Sequence, residues 1–448
     1  MSETLAALRR GDLAGARELR LTGLGLTELP DDVFGLADTL EVLDLSGNAL
    51  SRLPDGMGRL SALRAVFCSG NRFERLPPSL GDCPALGQIG FRAAGVRDVP
   101  GEALPPRLRW LTLTDNGIAR LPDALGERPL LQKLMLAGNR LQTLPDTMAG
   151  ADNLELIRLA SNDLTALPSW LAELPRLAWI AWGGNPVEPA MPSAEATRVS
   201  WAKLELGEIL GEGASGRIHR ALWRPETGAV RPVALKLFKG AMTSDGLPER
   251  EMDACLGAGA HPNLTAGLGR LIEHPDGVDG LLMPLLPAHW GALARPPSLA
   301  SCSRDVYASD LRLDEAVALN LASAAAAATA HLHANRLLHG DLYGHNILWR
   351  RDASDAGTGT SEGIALLGDF GAASFIADGS DAAALERIEV RAFGCLLEEL
   401  IERCDADAGA VPALTAMRML QARCLRGDAA MRPGFAAIDA ALRALRIG

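Results

Sequence analysis

This chain of 448 residues is poor in several things. It has two tyrosines, Tyr307 and Tyr343, and aromatic residues of every kind make up only 4%. It has four lysines, Lys133, Lys203, Lys236 and Lys239, against forty arginines. There is no basic cluster, the net charge is −11, and neither residues 1–200 nor the remainder carries a positive balance. Nucleic acid and anionic membrane are thereby disfavoured as main partners, because both are held by concentrated positive charge. Seven cysteines (68, 83, 255, 302, 395, 404 and 424) are dispersed without a CxxC pair. Such a set reads as the reduced, buried thiols of a cytosolic protein. No strongly apolar run reaches the length of a membrane span of about 18 residues. The alanine-rich stretch 322–330 comes nearest, and His331 and His333 follow it, so a soluble helix is expected there. The first ten residues lack the charged-then-apolar order of a secretion signal. The expected location is the cytoplasm.

What is present divides in two. Hydrophobic residues make up 48%, enough for real cores in two or three domains. In the first half a unit recurs every 22–24 residues, in frames starting near 16, 40, 63, 86, 108, 131, 154 and 177. Its clearest copy runs Leu40-Glu-Val-Leu43-Asp-Leu45-Ser-Gly-Asn48-Ala-Leu50. This pattern resembles the leucine-rich repeat. Leucines at alternate positions of a short strand point inward, and stacked neighbours bury them in one continuous core. Asparagines 48, 71, 116, 139, 162 and 185 are expected to turn inward and satisfy loop backbone groups. Leu24 and Ala94 take that slot in two units, and the unit 86–107 is irregular enough to bend the stack. Phe67, Trp110, Met135, Arg158 and Trp179 alternate with the inward positions. They are candidate anchors for a protein partner on the concave face, with Trp179 alternatively packing on the neighbouring domain.

The second half holds ordered polar motifs. Leu210-Gly211-Glu-Gly213-Ala214-Ser215-Gly216-Arg-Ile218 is a glycine-rich turn, Val233-Ala234-Leu235-Lys236 a strand ending in a lysine, and His261-Pro262-Asn263 a short motif beyond. Later come His339-Gly340-Asp341-Leu342-Tyr343-Gly344-His345-Asn346, Asp369-Phe370-Gly371 and Cys424-Leu425…Arg432-Pro433. In this order the set resembles the protein kinases, over roughly residues 204–448. Glycines let a backbone lie close over phosphates, and two carboxylates with one amide suit phosphoryl transfer.

The resemblance implies a bacterial-type leucine-rich-repeat protein kinase. The expected architecture is an α/β solenoid with a parallel sheet on its concave face, followed by an α+β bilobal kinase-like domain. Expected boundaries are a cap at 1–15, eight repeats at 16–188, a linker at 189–203 and the kinase domain at 204–448. The implied ligands are ATP and Mg2+. Gly211, Gly213, Ala214, Ser215, Gly216, Ile218 and Ala234 would surround the nucleotide, and Met283, Leu285 and Leu286 would flank adenine. Lys236 would pair with its α/β-phosphates, held by Glu251 or, one turn-like shift away, Glu249. Asp341 would accept or orient the substrate hydroxyl, while Asn346 and Asp369 would hold magnesium.

Departures from the family fall on the substrate side. Gly340 replaces an arginine that receives an activation-loop phosphate, so switching by that phosphate should be weak or absent. Tyr343 stands where a lysine near the γ-phosphate is usual, and His345 is expected to compensate in part. The surplus Asp352–Glu362 lengthens the run from Asp341 to Asp369, whereas the segment from Gly371 to Glu389 is short, lacks Ala-Pro-Glu, and carries only Ser374 and Ser380 as hydroxyls. Glu389 stands for the family's Asp, and Arg432 is left without its usual glutamate. Three functions remain open: transfer of phosphate to protein serine or threonine, a pseudokinase scaffold working through its repeats, and a small-molecule kinase.

Overall fold

The computed structural model describes residues 3–189, 197–213, 215–240, 242–265, 267–350, 365–377, 379, 382–404 and 412–447. Ala214, Asp352–Glu362, Ser380 and residues 190–196 of the expected linker lie outside them. The chain forms two compact units, one of residues 1–177 with 185–187, the other of residues 178–184 with 188–448.

In the first unit, helix α1 (Glu3–Arg10) buries Leu5 and Leu8. Seven three-residue strands follow: β1 (Glu18–Arg20), β2 (Val42–Asp44), β3 (Ala65–Phe67), β4 (Gln88–Gly90), β5 (Trp110–Thr112), β6 (Lys133–Met135) and β7 (Leu156–Arg158). They pair in parallel and in chain order. The middle residue of each (Leu19, Leu43, Val66, Ile89, Leu111, Leu134, Ile157) is buried, as a period of two requires when one face meets the core. Each return leg starts at a proline, such as Pro54 or Pro145, and takes a short 3-10 turn.

The asparagines do turn inward. Asn139 donates from Nδ2 to the carbonyls of Leu113 and Leu136 and accepts the Ile118 N–H at Oδ1. Asn71 and Asn162 repeat the pattern. Where Leu24 and Ala94 stand in the slot, the next asparagine accepts their backbone N–H groups: Asn48 from Leu24, Asn116 from Ala94. The irregular fourth unit keeps its strand in register on both sides, with Phe91 edge-on to Phe73 at 4.9 Å.

The second unit begins with strand β8 (Trp179–Ala181) and a turn through Gly184. Within the expected linker, Arg198–Ser200 forms β9, which runs parallel to β13 (Gly269–Ile272). A six-stranded sheet has the order β10 (Leu204–Glu212), β11 (Gly216–Trp223), β12 (Arg231–Phe238), β14 (Gly280–Pro284), β13, β9. Val199, Ala221, Val233, Leu235, Leu271 and Leu282 form its core. Helix α2 (Pro248–Gly257) has proline at its start, where the missing N–H costs nothing.

The rest of this unit is helical: α3 (Glu315–Ala334), α4 (Ala382–Ile401), α5 (Pro412–Cys424) and α6 (Phe435–Ile447). Two small sheets accompany the helices. Strands β15 (Trp290–Ala292), β17 (Ile347–Arg350) and β18 (Ala365–Leu367) make one, and β16 (Leu337–Leu338) with β19 (Ser374–Phe375) the other. The alanine-rich stretch is the buried centre of α3, and among the described residues no helix is long and apolar enough to cross a membrane.

Candidate functional site

The turn between β10 and β11 holds the glycine-rich motif. Gly213 N–H donates to Gly216 O at 2.9 Å, and Lys239 steadies the turn, donating from Nζ to Gly213 O at 3.1 Å and pairing with Glu212. Ser215 and Ile218 are half-buried beside it and Gly216 is buried. Two strands away, β12 carries Ala234 and Lys236, and the register sets Ala234 opposite Met283 of β14. Met283, Leu285 and Leu286 are all half-buried. They lie where the β14 strand leaves the sheet, at the end of the strand that would border adenine.

Lys236 is buried and ion-paired with Glu251 of α2, which is buried as well. Glu249, the competing candidate, is exposed. Helical spacing explains the choice, since residues two apart face different sides of a helix. Burial works against the lysine's charge, but attraction to Glu251 and Asp369 outweighs it and raises the pKa of Lys236. Burial pushes the Glu251 carboxyl up to about 7, with Lys236 pulling against it.

The catalytic-loop motif spans the end of β16 to the start of β17. Asn346 donates from Nδ2 to both the backbone oxygen (2.9 Å) and Oδ2 (2.8 Å) of Asp341. These bonds clip the two ends of the loop together and aim the amide oxygen elsewhere. His339 is fully buried, with Nε2 3.0 Å from Gly368 O, and its ring lies 5.4 Å from that of Phe370. Phe370 is therefore tucked under the loop. Asp369 has φ of +60°, a left-handed conformation that non-glycine residues rarely adopt and that concentrates at functional sites. Its field reaches both Lys236 and His345.

Glu389 of α4 anchors the same loop from below. Its carboxylate accepts the N–H groups of Gly340 (2.7 Å) and His339 (3.3 Å), and His333 Nε2 lies 2.7 Å away. Burial opposes its ionisation, yet these partners hold its pKa below the ordinary value. Arg432 donates to the carbonyls of Arg387, Arg426 and Gly427. Burial brings its pKa down to about 10.

Sequence reasoning missed Asp305. Its two carboxylate oxygens lie 2.8 and 2.7 Å from the His345 backbone N–H and Nδ1, and His345 Nε2 is 3.9 Å from Asp341 Oδ2. Burial disfavours the imidazolium, but Asp305 and Asp341 raise its pKa overall. Nothing in the local sequence marks Asp305, forty residues upstream and outside any motif.

Three of the five candidate anchors on the repeats need correction. Met135, Arg158 and Trp179 are buried, so they have no free surface to offer a partner. Trp179 belongs to the second unit, where its ring stacks on Tyr343 at 4.2 Å and its Nε1–H donates to Leu342 O at 3.1 Å. Phe67 and Trp110 are half-buried. Phe67 lies over Gly90, and the Lys133 ammonium sits 4.2 Å from the Trp110 ring centre.

A leucine-rich-repeat family model matches residues 15–73, 106–164 and 129–187. A protein tyrosine and serine/threonine kinase model matches residues 204–392. The chain is 30% identical over 173 residues to mitogen-activated protein kinase kinase kinase 10 of Mus musculus, covering 37% of this chain and 17% of that protein. The Homo sapiens protein of the same name matches at 30% over 37% and 16%, and myosin-IIIb of Mus musculus at 26% over 37% and 11%. The chain thus spans less than a fifth of the length of these relatives. A solved leucine-rich-repeat protein of Leptospira interrogans overlays 40% of this chain and 52% of its own at 25% identity, with a TM-score of 0.34.

Proposed function

We propose that this chain, in which leucine-rich repeats are followed by a protein kinase domain, transfers the γ-phosphate of ATP to serine or threonine hydroxyls of a protein. The observation that carries the reading is the formed pair of Lys236 and Glu251, with Asp369 close enough to raise the lysine's pKa. A buried lysine is costly unless paired, and this one faces the glycine-rich strand, opposite Ile218.

In this reading Lys236 binds and orients the α/β-phosphates. Asp341, its carboxylate oriented by Asn346, accepts the proton of the attacking hydroxyl. The donor set suits magnesium: Asn346 and Asp369 offer hard oxygens, and magnesium takes one or two protein oxygens with phosphate and water completing its shell. When bound, the ion neutralises charge on the β- and γ-phosphates. His345, held by Asp305, adds a donor beside Asp341. The half-exposed Phe67 and Trp110 are the remaining candidates for contact with a protein partner through the repeats.

The test incubates the full chain with labelled ATP and magnesium, alone and with a generic protein substrate, beside Asp341→Ala. Label in protein that vanishes in the variant is expected. ATP binding without transfer would point to a scaffold, and ATP consumption only with a small alcohol to a small-molecule kinase; either result overturns the reading.

A further inference from the structure

Four observations around the catalytic loop converge on one short segment of the second unit. Trp179 stacks on Tyr343, their rings within 6° of parallel, and bonds the Leu342 carbonyl. Gly340 sits at φ +73°, and a Cβ there would fall 2.6 Å from Ala372 O and nearer still to Ile180 O. Ser374 Oγ accepts the N–H groups of Trp182 (2.9 Å) and Gly183 (3.1 Å). The Glu188 carboxylate accepts the N–H groups of Gly184 (2.7 Å) and Phe375 (3.0 Å) and lies 3.5 Å from the Arg250 guanidinium, on the helix that carries Glu251.

Each contact ties a part of the site that must be ordered for phosphoryl transfer: the loop bearing Asp341, the segment after Asp369, and helix α2. Tyr343 is buried and its hydroxyl donates to Ser303 O at 2.8 Å, so its ring is locked on both sides. Among the described residues 371–377 the one hydroxyl is Ser374. It is fully buried and already accepts from two backbone N–H groups, so a phosphate has no room there.

We propose that β8 and its turn, with Glu188, form a built-in clamp in which Trp179 and Glu188 are positioning residues for the catalytic loop and the segment after Asp369. The site is then assembled without phosphorylation of this chain. The clamp occupies the space at residue 340 where a side chain would otherwise stand, which accounts for glycine at that position. The proposal rests on the kinase reading for its kinetic consequence and on geometry alone for its structural one.

The experiment uses the full chain, freed of phosphate by phosphatase and checked by mass spectrometry, together with Trp179→Ala, Trp179→Phe and Glu188→Gln. Hydrogen exchange is read over residues 339–346 and 371–377, and kcat and KM for ATP are measured in parallel. Phosphate-free wild type is expected to keep its full rate. Trp179→Ala should lower kcat on the order of tenfold or more, as small misplacements of a reacting group do, with KM for ATP within about twofold because Lys236 and Glu251 are untouched. Trp179→Phe keeps the stack and should recover most of the rate, and Glu188→Gln should speed exchange chiefly over residues 371–377. If Trp179→Ala fails to fold, Glu188→Gln carries the test. A wild type that loses its rate with its phosphate, or Trp179→Ala and Glu188→Gln proteins whose exchange in both segments matches wild type, would overturn the clamp. If no variant, wild type included, transfers phosphate, the kinase reading fails while the exchange data still decide the clamp.

Discussion

Replacing Gly340 by alanine adds a single methyl group, and the surroundings of that methyl set the penalty. At φ +73° an L-residue is strained, by about 1–2 kcal/mol. The new Cβ would also press on two carbonyl oxygens, Ala372 O at 2.6 Å and Ile180 O nearer still. Forcing atoms into a packed site costs about 1–3 kcal/mol. The sum is about 2–5 kcal/mol, or a melting point roughly 4–20 °C lower at about 2–4 °C per kcal/mol for a unit of this size. Calorimetry and urea unfolding of the second unit's transition measure it. Gly434→Ala is the control, since a Cβ there meets nothing within 4 Å and its φ is not positive; it should stay within about 0.5 kcal/mol of wild type. If Gly340→Ala melts with the wild type, the two carbonyls do not crowd residue 340 and the reasoning fails. Restoring an arginine at 340 meets the same obstacle and should also destabilise.

Three further outcomes follow from the same geometry. Lys236→Met should leave folding intact and reduce phosphate transfer on the order of 100-fold or more, read with labelled ATP; equal rates would remove Lys236 from the site. Glu389 has a pKa below the ordinary carboxylate value, so its contribution to stability is present above that ordinary value and is lost as pH falls through the depressed one. Glu389→Gln should therefore flatten the acid limb of a plot of urea midpoint against pH below about 4.3 and cost about 3 kcal/mol at neutrality. Asn139→Ala leaves the buried Ile118 N–H without its acceptor and takes one of two amide donors from the Leu113 and Leu136 carbonyls, which keep Asn116 and Asn162, so the first unit should lose about 1–3 kcal/mol in urea unfolding; a loss under about 0.5 kcal/mol would count against the asparagine's structural role.

The repeat architecture was legible because one periodic signal recurs: a leucine every second position, then an asparagine, in frame after frame. The nucleotide side was legible for a different reason. Lys236 is one of four lysines, and its spacing to Glu251 lies within a single strand-to-helix connection. What escaped reading depends on residues far apart in sequence. For Trp179 the alternation leaves an open strand face and a packed one both standing, and only a bond to Leu342, 163 positions on, decides for packing. Ser374 looks like a modifiable hydroxyl until Trp182 and Gly183 donate to it across more than 190 positions. Asp305 carries no local pattern. Its role follows from where His345 falls, and periodicity cannot supply that.

The asparagine ladder has a consequence for how the repeats were able to accumulate. Each amide speaks to its own turn and to the one before it, with a spacing of 23 residues between Asn116, Asn139, Asn162 and Asn185. No repeat needs a partner more than one step away for this bond. Duplication or loss of a whole unit therefore hands an intact set of donors and acceptors to the new neighbour, whereas an insertion of one or two residues strands them. Length can drift in whole steps under little penalty while frame cannot, which makes the number of turns an adjustable quantity and the phase between turns a rigid one.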